Sequence, residues 1–269
     1  MIVGWGQGQS WGSNFTSLFA TMTPTPLLGF STAVGSSERI TPQALAQGKG
    51  DDYLIALNNA LSIWGQPVYV RPLGEMNGYW NPYSAYNQNG SRRDAAHSTA
   101  AFRKAFARIY VILHGGFAAD VDAKLRRLGL PPVGRDLPGN PLPQLKVVWN
   151  PQGYGSPDVP GNTAQAYYPG DAYVDVVGDD LYDIRGKAEF GAADRLYKAH
   201  PSKPFAFPEW GLWGLDDPKF VGDMARWVKA HPRTELLAYF NSKPGSIWDL
   251  GSKPRSRAAY RQLIVPLGG

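Results

Sequence analysis

Val68-Tyr69-Val70-Arg71-Pro72-Leu73-Gly74-Glu75-Met76-Asn77-Gly78-Tyr79-Trp80 is the stretch whose reading decides the fold. It reads as a buried β-strand that delivers a carboxylate, an amide and two large aromatics onto its exposed end. A tip carrying Glu75 beside Tyr79, Trp80, Asn81 and Tyr83 suits cleavage of a glycosidic bond, which takes an ionisable acid for the bridging oxygen and flat apolar faces for the sugar rings. A second apolar run, Pro204-Phe205-Ala206-Phe207-Pro208, leads into Glu209-Trp210-Gly211. Taken singly, each glutamate reads as an ordinary surface acid. As a pair, both following apolar runs and both flanked by Gly and Trp, they read as the two acids of a site at the C-terminal ends of α/β-barrel strands.

Composition sets the frame for that pair. The 269 residues can bury a large core, and with no linker, repeat or low-complexity tract they read as one domain over 1–269. No apolar run approaches the roughly 20 residues of a membrane span, so no membrane partner is expected. The chain is rich in aromatics, with 9 Trp, 14 Tyr and 11 Phe, and any surplus over core needs suits a carbohydrate cleft. A net charge of +5 could attract an anion, but the basic residues are scattered and form no nucleic-acid module. Zero cysteines exclude disulfides and thiolate metal sites. None of the 4 histidines, His97, His114, His200 and His231, stands at metal-ligand spacing, so neither metal nor cofactor is expected. His114, before Gly115-Gly116, reads as a helix-end residue. Met1 runs directly into the strand-like Ile2-Val3-Gly4-Trp5 with no leader, which leaves either a cytoplasmic protein or a trimmed chain.

Strand candidates alternate with helical stretches, the pattern of a parallel sheet built from βα units. They lie at Ile2 to Trp5, Pro26 to Ser31, Pro67 to Leu73, Leu145 to Trp149, Tyr173 to Val177, Pro204 to Pro208 and Leu236 to Phe240. Helices are predicted after Thr41-Pro42, after Asp51, after Ser98-Thr99, after Asp217-Pro218 and over Arg255 to Leu263, where a capping residue, a first-turn proline or helical spacing marks them. The Pro/Gly-rich stretches 131 to 144 and 151 to 170 read as loops. The count is one strand short of a closed (β/α)8 TIM barrel, so an open edge is expected beside the last strand, filled natively by an upstream segment or by a loop that substitutes for the strand.

These motifs resemble glycoside hydrolase family 26, a β-mannanase family of retaining (β/α)8 enzymes. Arg71 to Trp80 is similar to its RPLHEMNG-W signature; Tyr168-Pro169-Gly170-Asp171, Tyr173-Val174-Asp175 and Gly178-Asp179-Asp180-Leu181-Tyr182 are similar to its YPGD-YVD-VG-D-Y block. Lys203-Pro204 with Pro208-Glu209-Trp210-Gly211 resembles its nucleophile strand. The resemblance implies Glu75 as acid/base after the fourth barrel strand, Glu209 as nucleophile after the seventh, and Tyr182 as the tyrosine touching the nucleophile. By the same count Ile2 to Trp5 is the second strand and the first is absent. The family usually carries His where this chain has Gly74, a position facing substrate.

The implied activity is retaining, endo-acting hydrolysis of a β-linked oligo- or polysaccharide, β-1,4-mannan first, with mixed-linkage β-glucan and β-1,3-xylan as alternatives. Secretion and a monomeric state are implied with it. Candidate substrate-binding residues are Trp5, Trp11, Arg71, Asn77, Trp80, Tyr182, Trp210, Trp213 and Trp248; Trp149 reads as core. A carbohydrate-binding barrel without turnover is the competing reading, since fold alone does not separate the two.

Overall fold

The computed structural model describes residues 2–4, 6–9, 25–35 and 37–268. In chain order the strands are β1 (Ile2–Gly4), β2 (Gly6–Gln9), β3 (Leu27–Phe30), β4 (Ala33–Val34), β5 (Ser37–Glu38), β6 (Val68–Pro72), β7 (Leu145–Trp149), β8 (Val176–Ile184), β9 (Phe205–Trp213) and β10 (Thr234–Tyr239). The α-helices are α1 (Pro42–Ala46), α2 (Asp51–Trp64), α3 (Thr99–His114), α4 (Ala118–Arg127), α5 (Phe190–Ala199), α6 (Pro218–Ala230) and α7 (Pro254–Ala259). Two compact units contain them, Gln7–Asp175 in one and Met1–Gly6 with Val176–Gly269 in the other.

In the Gln7–Asp175 unit, β6 lies between β3 and β7, parallel to both. Leu28, Val70 and Val147 are fully buried in these strands, and strands buried on both faces read as continuous apolar runs. α3 starts where Ser98 accepts a hydrogen bond from the Ala101 amide and ends at His114, whose ring bonds Asp175 Oδ2 at 2.9 Å and the Asn140 carbonyl at 2.8 Å. Its buried face carries Phe102 and Phe106, with the Phe102 ring edge-on to Tyr167 at 5.4 Å. Each such ring contributes about 1.5–3 kcal/mol on burial.

Arg108 on α3 is wholly buried, its Nε donating to Asp51 Oδ1 at 2.7 Å, its Nη2 to Asp51 Oδ2 and its Nη1 to the Pro131 carbonyl at 2.7 Å. Asp51→Ala strands that charge, and urea unfolding is expected to report a loss of about 3–5 kcal/mol. A loss below about 1 kcal/mol would mean that Arg108 relaxes to water.

In the other unit β9 pairs in parallel with β8 on one side and β10 on the other, and β1 pairs in parallel with β10. Phe205 and Phe207 pack against Trp227 of α6 at 5.5 and 4.9 Å. α6 begins at Asp217, whose Oδ1 accepts from the Lys219 and Phe220 amides.

All seven predicted strands are present, with three corrections. The strand expected over Tyr173 to Val177 begins at Val176, after a short helical turn at Asp171–Tyr173, and runs on to Ile184. β9 likewise continues to Trp213, so Glu209 lies within the strand rather than at its end. Both extensions have one cause: Asp180 to Ile184 pairs residue for residue with Glu209 to Trp213, so backbone satisfaction carries the strands past the polar residues that break an apolar run. The open edge expected beside the last strand is partly occupied, because Ile2, Val3 and Gly4 pair with Leu236, Leu237 and Ala238. Two helices were not predicted. α4 buries only Val121, Asp122 and Leu125, and α5 only Ala192, Ala193 and Leu196, so their apolar stripes are too thin to read.

Among the described residues no helix is long and apolar enough to cross a membrane, and no cluster of three or more His, Cys, Asp or Glu could hold a metal ion.

Candidate active site

Pro72 ends β6, and the backbone then turns sharply: Leu73 and Glu75 adopt positive φ of 52° and 53°. Non-glycine residues in the left-handed region cost about 1–3 kcal/mol each and persist where the surroundings over-determine them. Here the Leu73 amide donates to the Phe30 carbonyl at 2.9 Å and the Glu75 amide to the Asn150 carbonyl at 2.7 Å, pinning the turn between β3 and the segment after β7. The Tyr83 hydroxyl and Asn81 Nδ2 donate to the Gly74 carbonyl at 2.7 and 3.3 Å.

The turn aims the half-buried Glu75 carboxylate at two donors. Trp80 Nε1 reaches Oε2 at 2.8 Å and Gln152 Nε2 reaches Oε1 at 2.8 Å. Trp80 remains 47% exposed, so its ring offers an apolar face beside the acid. Tyr79 packs edge-on to it at 5.2 Å, and Tyr154, after β7, is also exposed. Arg93 holds the loop beneath, donating to the carbonyls of Tyr79, Asn81 and Pro82 at 2.6–3.0 Å.

Gly74 has a local reason. A Cβ there would lie 2.4–2.6 Å from Cζ, Nε and Nη2 of Arg71, whose Nε donates to Asn150 Oδ1 at 2.6 Å. The guanidinium fills the space of a side chain at position 74. Gly74→Ala is therefore expected to push Arg71 off Asn150 and to cost about 1–3 kcal/mol. In a double-mutant cycle by urea unfolding, Arg71→Ala should absorb much of that cost, a coupling above about 0.5 kcal/mol; additive effects would contradict the contact.

In the other unit Glu209 is half-buried on β9. The Tyr182 hydroxyl donates to its Oε2 at 2.7 Å, and the Glu209 amide donates to Asp180 Oδ1 at 3.1 Å. Gly211 sits against the Tyr182 ring, where a Cβ would come within 3.4 Å of Cε1. Tyr182 is edge-on to Trp213 at 5.6 Å and to Phe240 at 6.1 Å, and Trp248 is edge-on to both at 5.2 and 5.5 Å. Trp213 is 42% exposed and Phe240 also reaches solvent, so this wall is open to a ligand. Burial, reinforced by the charge of Asp217 and opposed by the Gly186 amide, pushes the neighbouring Asp183 above the usual carboxylate range.

Two of the predicted substrate-binding residues are corrected. Trp210 is fully buried, stacked on Tyr260 at 5.8 Å, because its position on β9 faces the helices; it shows no ring face to a sugar. Asn77 is also fully buried and is scaffold: Nδ2 donates to the carbonyls of Gln152 and Tyr154 at 2.9 and 3.1 Å, and Oδ1 accepts from the Gln152 amide at 2.8 Å. Trp149 is core, as read. Trp5 and Trp11 lie outside the described residues. Sequence reasoning missed Asn150 and Gln152, placed just past the end of β7 in a stretch read as loop from residue 151; polar amides directly after a buried strand were the available signal.

No family model matches the chain. It is 23% identical over 239 residues to endoglucanase H of Acetivibrio thermocellus, an alignment covering 82% of this chain and 22% of that protein. It is 28% identical over 149 residues to the mannan endo-1,4-beta-mannosidase of Bacillus subtilis, covering 55% of this chain and 31% of that one. The alignments thus span under a third of either curated relative. Among solved structures, the Bacillus subtilis mannanase man26 superposes with a TM-score of 0.60 at 19% identity, covering 96% of this chain and 76% of its own. A GH26 beta-mannanase from Bacteroides ovatus gives 0.54 at 15% identity, covering 94% and 78%. The structural neighbours of this chain are β-mannanases of glycoside hydrolase family 26, the family its motifs resemble, and its fold is their (β/α)8 fold.

Proposed function

We propose that the chain is a retaining, endo-acting glycoside hydrolase whose first substrate is β-1,4-mannan. The observation that carries this reading is the Tyr182 hydrogen bond to Glu209 at 2.7 Å: the family resemblance singles out this tyrosine as the nucleophile's partner, and the phenolic donor fixes the orientation of the attacking carboxylate. Glu209 attacks the anomeric carbon while Glu75 protonates the departing oxygen; Glu75 then takes a proton from water as the glycosyl ester is hydrolysed. Trp80 in one unit and Trp213 in the other offer exposed ring faces for sugars, and Arg71, Trp248 and Tyr182 are further candidate substrate contacts. The mannosidase relative supports mannan. A second reading, β-glucan, is favoured by the endoglucanase relative, which aligns with the larger share of this chain.

Release of reducing ends from mannan, lichenan and β-1,3-xylan tests the proposal: mannan is expected to be cut fastest, with a rapid fall in viscosity. No release from any of the three would leave a binding protein. Retention further requires the two carboxyls about 5–5.5 Å apart, and a crystallographic separation beyond about 10 Å would exclude it.

A further inference from the structure

Gln152 is 9% exposed, and its backbone is locked by Asn77, which accepts from the Gln152 amide at 2.8 Å and donates to its carbonyl at 2.9 Å. Asn77 is itself held by Asn162, whose Nδ2 donates to the Asn77 carbonyl at 2.8 Å. The Gln152 side chain makes a 2.8 Å bond from Nε2 to Glu75 Oε1, while its own Oε1 is buried with no hydrogen-bond partner among the described residues. An unmet buried amide oxygen costs about 1–3 kcal/mol, which an apolar residue of the same size would avoid. The polar side chain therefore makes sense only at Glu75.

We propose that Gln152 is the positioning residue of Glu75, holding its carboxylate toward the substrate and favouring the ionised form. The inference rests on the acid/base reading of Glu75. In the first half of the reaction the Glu75 proton passes to the glycosidic oxygen as that C–O bond breaks and the Glu209 ester forms. In the second half water gives its proton to the ionised Glu75 and attacks, and the ester bond breaks. Hydrogen bonds to a carboxylate favour its charged state, so the Gln152 and Trp80 donors support the second half and oppose the first. Gln152 thereby sets the pH above which acid catalysis fails. Among the described residues the charged groups around this turn include Arg71, whose guanidinium covers Gly74, and Arg93, engaged with loop carbonyls. The segment after β7 brings Gln152 and Tyr154, neither charged, and the mechanism adds Glu209 as the second carboxylate. Arg71, Arg93, Tyr154 and Glu209 are unchanged in the Gln152 variants below.

The test is a ¹³C-NMR titration of the Glu75 carboxyl, assigned as the resonance absent from Glu75→Gln, in the wild type, Gln152→Leu and Gln152→Glu. The midpoint should rise by about one pH unit in Gln152→Leu and further in Gln152→Glu, which adds a like charge. The basic limb of kcat/KM on mannan should move with it, while KM changes less than about twofold. An unmoved or lowered midpoint in both variants overturns the proposal, as does a KM change with a stationary limb. A purely structural role would lower the melting temperature without moving the midpoint. If Gln152→Leu fails to fold, the nearly isosteric Gln152→Glu carries the measurement. If Glu75→Gln keeps wild-type activity on mannan, the acid/base reading fails, while the titration still decides whether Gln152 governs the Glu75 proton.

Discussion

Glu209→Ala is expected to lower hydrolysis by about 10⁴-fold or more, on activated and unactivated substrates alike, because no glycosyl-enzyme can form without the attacking carboxylate. The loss should be chemical rather than structural. The backbone contact that seats residue 209, its amide on Asp180 Oδ1, does not involve the deleted side chain, and the pairing of β8 with β9 is unaffected. Mass spectrometry of protein quenched during turnover of a slow fluoro-glycoside should show the glycosyl adduct on the wild type and not on the variant. An adduct on the variant at wild-type level would transfer the nucleophile role to another residue. Tyr182 loses its carboxylate partner in this variant, so Tyr182→Phe alone should show a smaller fall, about 10-fold, through poorer orientation of Glu209.

Glu75→Ala separates substrates by leaving group. Polysaccharide hydrolysis should fall by about 10²–10⁴-fold, the usual worth of general acid catalysis. Formation of the glycosyl-enzyme from a dinitrophenyl glycoside should be nearly unaffected, since that leaving group departs without a proton. Pre-steady-state measurement should then show a burst of phenolate followed by slow turnover, because the second half still lacks its base. Equal loss on both substrates, with no burst, would contradict the acid/base assignment. The variant also removes the carboxylate that receives Trp80 and Gln152, so a thermal melt belongs beside the kinetics.

The parts of this protein legible in one dimension are those with local physical causes. Apolar runs such as Val68-Tyr69-Val70 and Leu145 to Trp149 announced strands buried on both faces, and Thr41, Ser98 and Asp217 announced helix starts by offering a side-chain acceptor to free amides. The order of the three motifs, through the family they resemble, makes Glu75, Glu209 and Tyr182 the candidates. What the tertiary structure alone decided is set by partners far along the chain. β8 and β9 outrun their apolar runs because each satisfies the other's backbone beyond Asp180 and Glu209. Trp210 and Trp213 look alike as letters, yet one is packed on Tyr260 and the other is open to solvent, since a strand's alternation assigns faces only once its neighbours are in place. Gln152 lies 77 positions from Glu75 and Asn150 lies 79 from Arg71, so neither contact has a local signal. Hydrophobic pattern is a property of neighbours in sequence, whereas the aim of a carboxylate depends on side chains that only the folded chain brings within hydrogen-bond reach.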